Sequence, residues 1–152
     1  MPFRLRTETR RWFTDIRDVF PVDFDMYYLC LMAGLATRKK ADVTGNEATD
    51  LVDYFPGDYR GRGSVIISLF LSRELQKMGI SLAERHVLHQ AIRRLIDPQS
   101  PSRLSDDGLR EMNRYANAGF EVLTEWFEDR PRAIETFLPM YKRRLQAALA
   151  EE

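Results

Sequence analysis

The segment Asp50–Arg62, DLVDYFPGDYRGR, concentrates the side chains of this chain that could do chemistry: three carboxylates and two arginines, with four Gly or Pro residues counted through Gly63. Asp offers the hard oxygen ligands that Mg²⁺ takes, and Arg grips phosphate in a planar fork. Turn residues leave backbone N–H groups open to anions. Asp50 and Asp53 are three apart and share a face if that turn is helical, and Asp58 could fold back toward them across Pro56-Gly57. Such a set, Asp50, Asp53 and Asp58 on Mg²⁺ with Arg60 and Arg62 at the scissile phosphate, could polarise a phosphodiester and neutralise the charge that develops. Tyr59 could position a phosphate or donate a proton. The competing reading is that these acids and arginines pair with one another and with helix ends.

Other candidates are thinner. His86 and His89 are the only histidines, at i, i+3 in ERHVLHQAIRR; a structural zinc site needs further soft ligands, and the chain has one cysteine. A histidine acting as general base and a solvated polar face are both open. Cys30 lies in the apolar run MYYLCLMAGLA and reads as a small buried hydrophobe. Basic groups at Arg4/Arg6/Arg10/Arg11, Arg38/Lys39/Lys40, Arg85/Arg93/Arg94 and Lys142/Arg143/Arg144 track a nucleic-acid backbone if they converge, and are ordinary helix faces if they do not. Walker A, GxGxxG, zinc-finger and ribonucleoprotein patterns are absent, so nucleotide-triphosphate hydrolysis and sequence-specific readout have no support.

The elements that must position these residues read as helices. With 152 residues, 44% of them hydrophobic and 30% charged, the chain has the composition of one folded domain, residues 1–152. Zero net charge argues against wholesale electrostatic binding, though 19 Arg against 4 Lys favours planar pairing with phosphate or carboxylate, or else reflects codon bias. No apolar run reaches the roughly 18–20 residues of a membrane span, and MPFRLRTETRR lacks a signal-like apolar core behind it, so a cytoplasmic protein without membrane contact is expected.

The periodicity predicts helices over about 9–20, 24–39 with Asp23 as cap, and 64–78 closed by Gly79. Further helices follow the capping box Ser81-Leu-Ala-Glu84, span about 105–126 with Asp106 and Asp107 at the positive end, and cover 133–150, where Pro139 should kink the helix or open a new segment. A short helical turn is expected at 48–54, and Gly119 should mark a tight helix crossing. The 64–78 helix is apolar in nearly every direction and is expected to be the buried core of an all-α bundle of about six helices.

Three stretches, FDMYYLCLMAGLATRKK, YFPGDYRGRGSVIISLFLSRELQKMGI and LSDDGLREMNRYANAGFEVL followed by WFEDRPRAIETFL, carry a resemblance that covers most of Phe24 to Leu138. In overall character the chain resembles the small helical proteins of bacterial DNA phosphorothioation (DNA sulfur modification) systems, the DndE-like proteins and SspB-like nicking subunits. The resemblance implies a protein that nicks double-stranded DNA or binds it nicked, with a divalent ion, beside partner proteins of a sulfur-modification complex. The leading expectation is therefore a Mg²⁺-dependent DNA nicking endonuclease of a defence system. In it, Asp58, Tyr59, Arg60 and Arg62 act at the phosphate, Asp50, Asp53 and Asp58 hold the ion, and Arg38, Lys39 and Lys40 follow the DNA backbone. The alternatives are a DNA-binding subunit without catalysis, and a helical adaptor that recruits partner proteins through Trp12, Phe13 or Trp126 as exposed anchors.

Overall fold

The computed structural model describes residues 1–151 and is mostly helical, as the periodicity predicts. Its helices are α1 (Glu8–Trp12), α2 (Phe24–Thr37), α3 (Gly63–Lys77), α4 (Arg85–Leu95), α5 (Asp106–Trp126) and α6 (Ile134–Ala150). The one sheet among the described residues pairs β1 (Arg4–Arg6) with β2 (Ala48–Asp50), antiparallel, with Leu5 opposite Thr49. Contacts within the chain group it into two units. One is Met1–Phe3 with Val52–Met112, and the other is Arg4–Leu51 with the chain from Asn113 onward, so that α5 starts in the first and ends in the second.

In the second unit the core is α2. Ten of its fourteen residues are buried, which makes it, and not the 63–77 helix, the element covered on nearly every side. Glycine sets how closely α5 lies on it. A Cβ on Gly119 would stand 1.6 Å from the Cys30 carbonyl oxygen, and one on Gly34 would stand 2.0 Å from that of Tyr115. The two backbones thus touch at the crossing expected at Gly119. Above it, Asn113 Oδ1 accepts both the buried Tyr27 hydroxyl at 2.8 Å and the Arg4 backbone N–H at 3.0 Å, tying α2 and β1 to α5. The replacement Asn113→Ala removes the acceptor of both bonds and is expected to cost about 1–3 kcal/mol, the range for one buried polar group that loses its acceptor, since only the Tyr27 hydroxyl is fully buried. Urea unfolding of the variant against wild type measures it. The Tyr141 hydroxyl, 2.8 Å from the Leu29 carbonyl oxygen that accepts it, fastens α6 to α2.

Several local expectations are corrected. The 9–20 helix is α only to Trp12 and continues as a 3-10 turn over Thr14–Val19, where Thr, Asp and Val are poor interior residues for an α-helix. Asp23 makes no capping bond; it takes Arg10 at 2.6 Å and Arg17 at 3.2 Å, drawing that turn onto the start of α2. Residues 48–50 are strand where a helical turn was expected, because they pair with β1. The 24–39 helix stops at Thr37: Arg38 turns left-handed at φ 60°, and the Lys39 N–H returns to the Gly34 carbonyl.

In the first unit α3 ends where Gly79, at φ 70°, lets the Ile80 N–H reach the Leu75 carbonyl at 3.0 Å. It buries one face only, through Ile66, Ile67, Phe70 and Leu75, while Val65 and Leu69 are 61% and 46% exposed. The expectation that α3 is buried all round is therefore corrected: its residue types permit full burial, but neighbours cover just one side. The Ser81–Glu84 box does not open a helix. Ser81 Oγ accepts the Ala83 N–H within a turn, and α4 begins one residue past Glu84. Along α4, Leu95 is buried and Leu88, Ala91 and Ile92 are half-covered. α5 starts as expected, with Ser105 Oγ accepting the Gly108 N–H at 3.0 Å and Asp106 and Asp107 in the first turn. Pro139 lies inside α6, whose inner residues are Phe137 and Tyr141, whereas Leu138 and Leu149 face outward.

Candidate functional site

Val52–Gly63 does not form a continuous helix leading into α3. Phe55 is buried and its ring packs 5.1 Å from that of Phe3, so the segment is pinned at that point. Gly57 takes φ 52°, which a residue with a side chain adopts rarely, and the chain then winds through a 3-10 turn over Gly57–Gly61. The Tyr59 and Arg62 N–H groups each return three residues to close it, at 3.0 Å.

This turn borders a cavity of about 640 Å³ lined by Tyr54, Phe55, Gly57 and Arg60 on one side and by Pro101 and Arg103 on the other. The second wall is a tight loop ahead of α5. Its ends are joined by a bridge between Ile96 and Leu104, its Asp97 Oδ1 accepts the Gln99 N–H, and its Ser100 hydroxyl donates to the Leu104 carbonyl at 2.7 Å. Arg103 sits in that loop with a left-handed backbone, φ 65°, and its Nη1 donates to Ser64 Oγ at 2.9 Å. Space for the guanidinium comes from Gly63, where a Cβ would stand 2.3 Å from Arg103 Nη2 and 2.8 Å from the Phe55 ring. Three local features therefore fix the head group of Arg103: the loop, the serine acceptor and a missing side chain.

The electrostatics of the cavity are one-sided. Among the described residues neither Arg60 nor Arg103 has an ion pair with a carboxylate, and no Asp or Glu lines the space. Arg103 uses one of its five side-chain N–H donors on Ser64, and Arg60 is exposed. Two guanidinium groups on one concavity, uncompensated by protein carboxylates, make a receptor for an anion.

The residues singled out from sequence are distributed as follows. Arg60 lines the cavity; Asp58, Tyr59 and Arg62 lie on the same 3-10 turn or at its end and do not line it. Asp50 is the last residue of β2, in the other unit from Asp53 and Asp58, and pairs with Arg4 Nε at 3.0 Å. Among the described residues no three His, Cys, Asp or Glu side chains gather in a way that could hold a metal ion. Among the described residues Asp50, Asp53 and Asp58 thus do not fit a three-carboxylate Mg²⁺ site. Arg38 ends α2, Lys39 lies 3.7 Å from Glu125, and Lys40 Nζ stands 5.4 Å over the Tyr115 ring, so part of this basic group is engaged within its own unit. Cys30 is fully buried, and burial pushes its thiol well above the ordinary range, which leaves it inert as a nucleophile. The anchors expected of an adaptor are not free: Phe13 is buried, Trp12 packs edge-on against Phe13, Phe120 and Phe137, and Trp126 meets Tyr141.

Sequence reasoning missed Arg103, Tyr54 and Pro101. Gly63 next to Ser64, with a Pro-Ser-Arg turn farther along, was the available signal, but nothing in residue spacing joins the two. No helix among the described residues is long and apolar enough to cross a membrane. Comparison of the chain with protein-family models, with curated proteins and with solved structures finds no match in any of the three.

Proposed function

We propose that the chain acts on DNA, with the Arg60–Arg103 cavity holding a backbone phosphate, as a component of a bacterial DNA phosphorothioation system. The observation that carries the phosphate reading is the pair of arginines on one concavity without carboxylate partners among the described residues. Arg is suited to this task because its planar fork makes two parallel charge-assisted bonds to phosphate oxygens. The assignment to phosphorothioation rests on the resemblance of the segments between Phe24 and Leu138. Nicking of the bound strand is the catalytic form of the reading, and DNA binding without cleavage is its simpler form.

Supercoiled plasmid distinguishes the forms. Wild type is expected to retard the plasmid in a gel and Arg60→Ala/Arg103→Ala to lose that retardation. Open-circle product from wild type, absent with Arg60→Ala and dependent on added Mg²⁺, would establish nicking; retardation without product would leave a binding subunit. Asp58→Ala tests the metal expectation directly, since loss of Mg²⁺-dependent product in a variant that still retards the plasmid would restore it.

A recruiting role receives separate support from the exposed aliphatic side chains Val65, Leu69, Met78, Leu82 and Val87 in and around α3 and α4. Each leaves apolar surface open to water, the kind of side chain that a partner protein covers on docking.

A further inference from the structure

The lining of the Arg60–Arg103 cavity is divided in two. The guanidinium groups supply charge and donors, while Tyr54, Phe55 and Pro101 supply rings. A phosphate alone occupies a small part of about 640 Å³ and makes no use of the ring side. Tyr54 is 49% exposed, so a large aromatic surface is left against water at the mouth of a concave site. Solvent-exposed aromatics beside a basic groove are what unpaired bases stack on, because every base has a π-face. A duplex offers no such face, since its bases are stacked and paired in the interior, and its phosphates run along a convex surface.

We infer that the cavity takes one unpaired nucleotide, its phosphate between Arg60 and Arg103 and its base against Tyr54, so that the preferred ligand is single-stranded DNA. The inference rests on the phosphate reading above and narrows it. Among the described residues no Asn, Gln, Asp or Glu lines the space to read a base edge, and both arginines are engaged by the phosphate, so the preference is for strandedness and not for sequence. Gly57 belongs to the same design: at φ 52° it carries the chain around the rim, and the space beside it is open.

The test is fluorescence anisotropy with a short labelled mixed-sequence oligonucleotide, alone and annealed into a blunt duplex, in the same buffer. Wild type is expected to bind the single strand about tenfold or more tightly than the duplex, the size of one base–aromatic stack. Tyr54→Ala should bring single-strand affinity down to the duplex level without changing duplex affinity, and Tyr54→Phe, which keeps the ring, should behave as wild type. Equal or tighter duplex binding that still depends on Arg60 and Arg103 would overturn the inference and leave the phosphate reading standing. Unchanged single-strand affinity in Tyr54→Ala would overturn it as well. Binding of both DNA forms unaffected by Arg60→Ala/Arg103→Ala, or binding of neither by wild type, would remove the phosphate reading and this inference together.

Discussion

Gly119→Ala is expected to unfold the protein or lower its melting temperature by more than about 10 °C, because overpacking a core costs up to about 3 kcal/mol and more where nothing can yield. The added methyl would stand 1.6 Å from the Cys30 carbonyl oxygen and 2.9 Å from the Gly34 nitrogen. Both are backbone atoms of α2, which the Tyr141–Leu29 bond fastens to α6 and the Tyr27–Asn113 bond fastens to α5 itself, so α2 and α5 can relieve the clash only by separating and straining those bonds. Gly34→Ala should be nearly as damaging, its methyl meeting the Tyr115 carbonyl oxygen at 2.0 Å. Gly45→Ala is the control: nothing lies within 4 Å of a Cβ there, and the change is expected to be neutral or slightly stabilising through the unfolded chain. Thermal melts followed by circular dichroism on the three variants check the ranking. A Gly119→Ala protein melting with wild type would mean that the two helices do not cross at that distance.

Arg103→Ala is expected to weaken DNA binding by roughly tenfold to a hundredfold, the worth of a hydrogen bond to a charged group, with melting temperature little changed. Arg60→Ala should cost less, because its side chain is exposed and nothing preorganises it, whereas Arg103 is held by Ser64 and by the space at Gly63. Two subtler variants separate position from charge. Arg103→Lys keeps the charge but loses the planar fork, and is expected to recover only a small part of the affinity. Gly63→Ala leaves both arginines in place and pushes a methyl to within 2.3 Å of Arg103 Nη2, so it should reduce affinity by displacing the guanidinium. Anisotropy titrations with labelled DNA measure all four.

The helical plan was legible in the sequence wherever punctuation is local. Gly79 closes α3, Ser105 opens α5 three residues before the N–H it accepts, and Gly119 announces the crossing that the structure contains. Three kinds of feature were not legible. β1 and β2 are three residues each, too short for an alternation to register, and exist because of pairing across a long stretch of chain. The one-sided burial of α3 depends on which neighbours are present, and residue type alone cannot report that: Val65 and Leu69 look as apolar as Ile66 and Phe70. The site was half legible. Arg60 stood out by its company of turn residues, but its counterpart Arg103 is delivered by a separate loop through a left-handed backbone that no local pattern marks. The carboxylates that drew attention to the segment belong to no metal-holding group among the described residues, and Asp50 pairs with Arg4.

The central claim is that Arg60 and Arg103 hold phosphate, and the salt dependence of DNA binding tests it most directly. The slope of log affinity against log salt counts the phosphates that a protein neutralises, at about 0.7 for each on a single strand. Wild type and Arg60→Gln/Arg103→Gln should differ in slope by roughly one phosphate's worth, with the variant the shallower. Parallel lines for the two proteins, whatever their offset, would contradict the account.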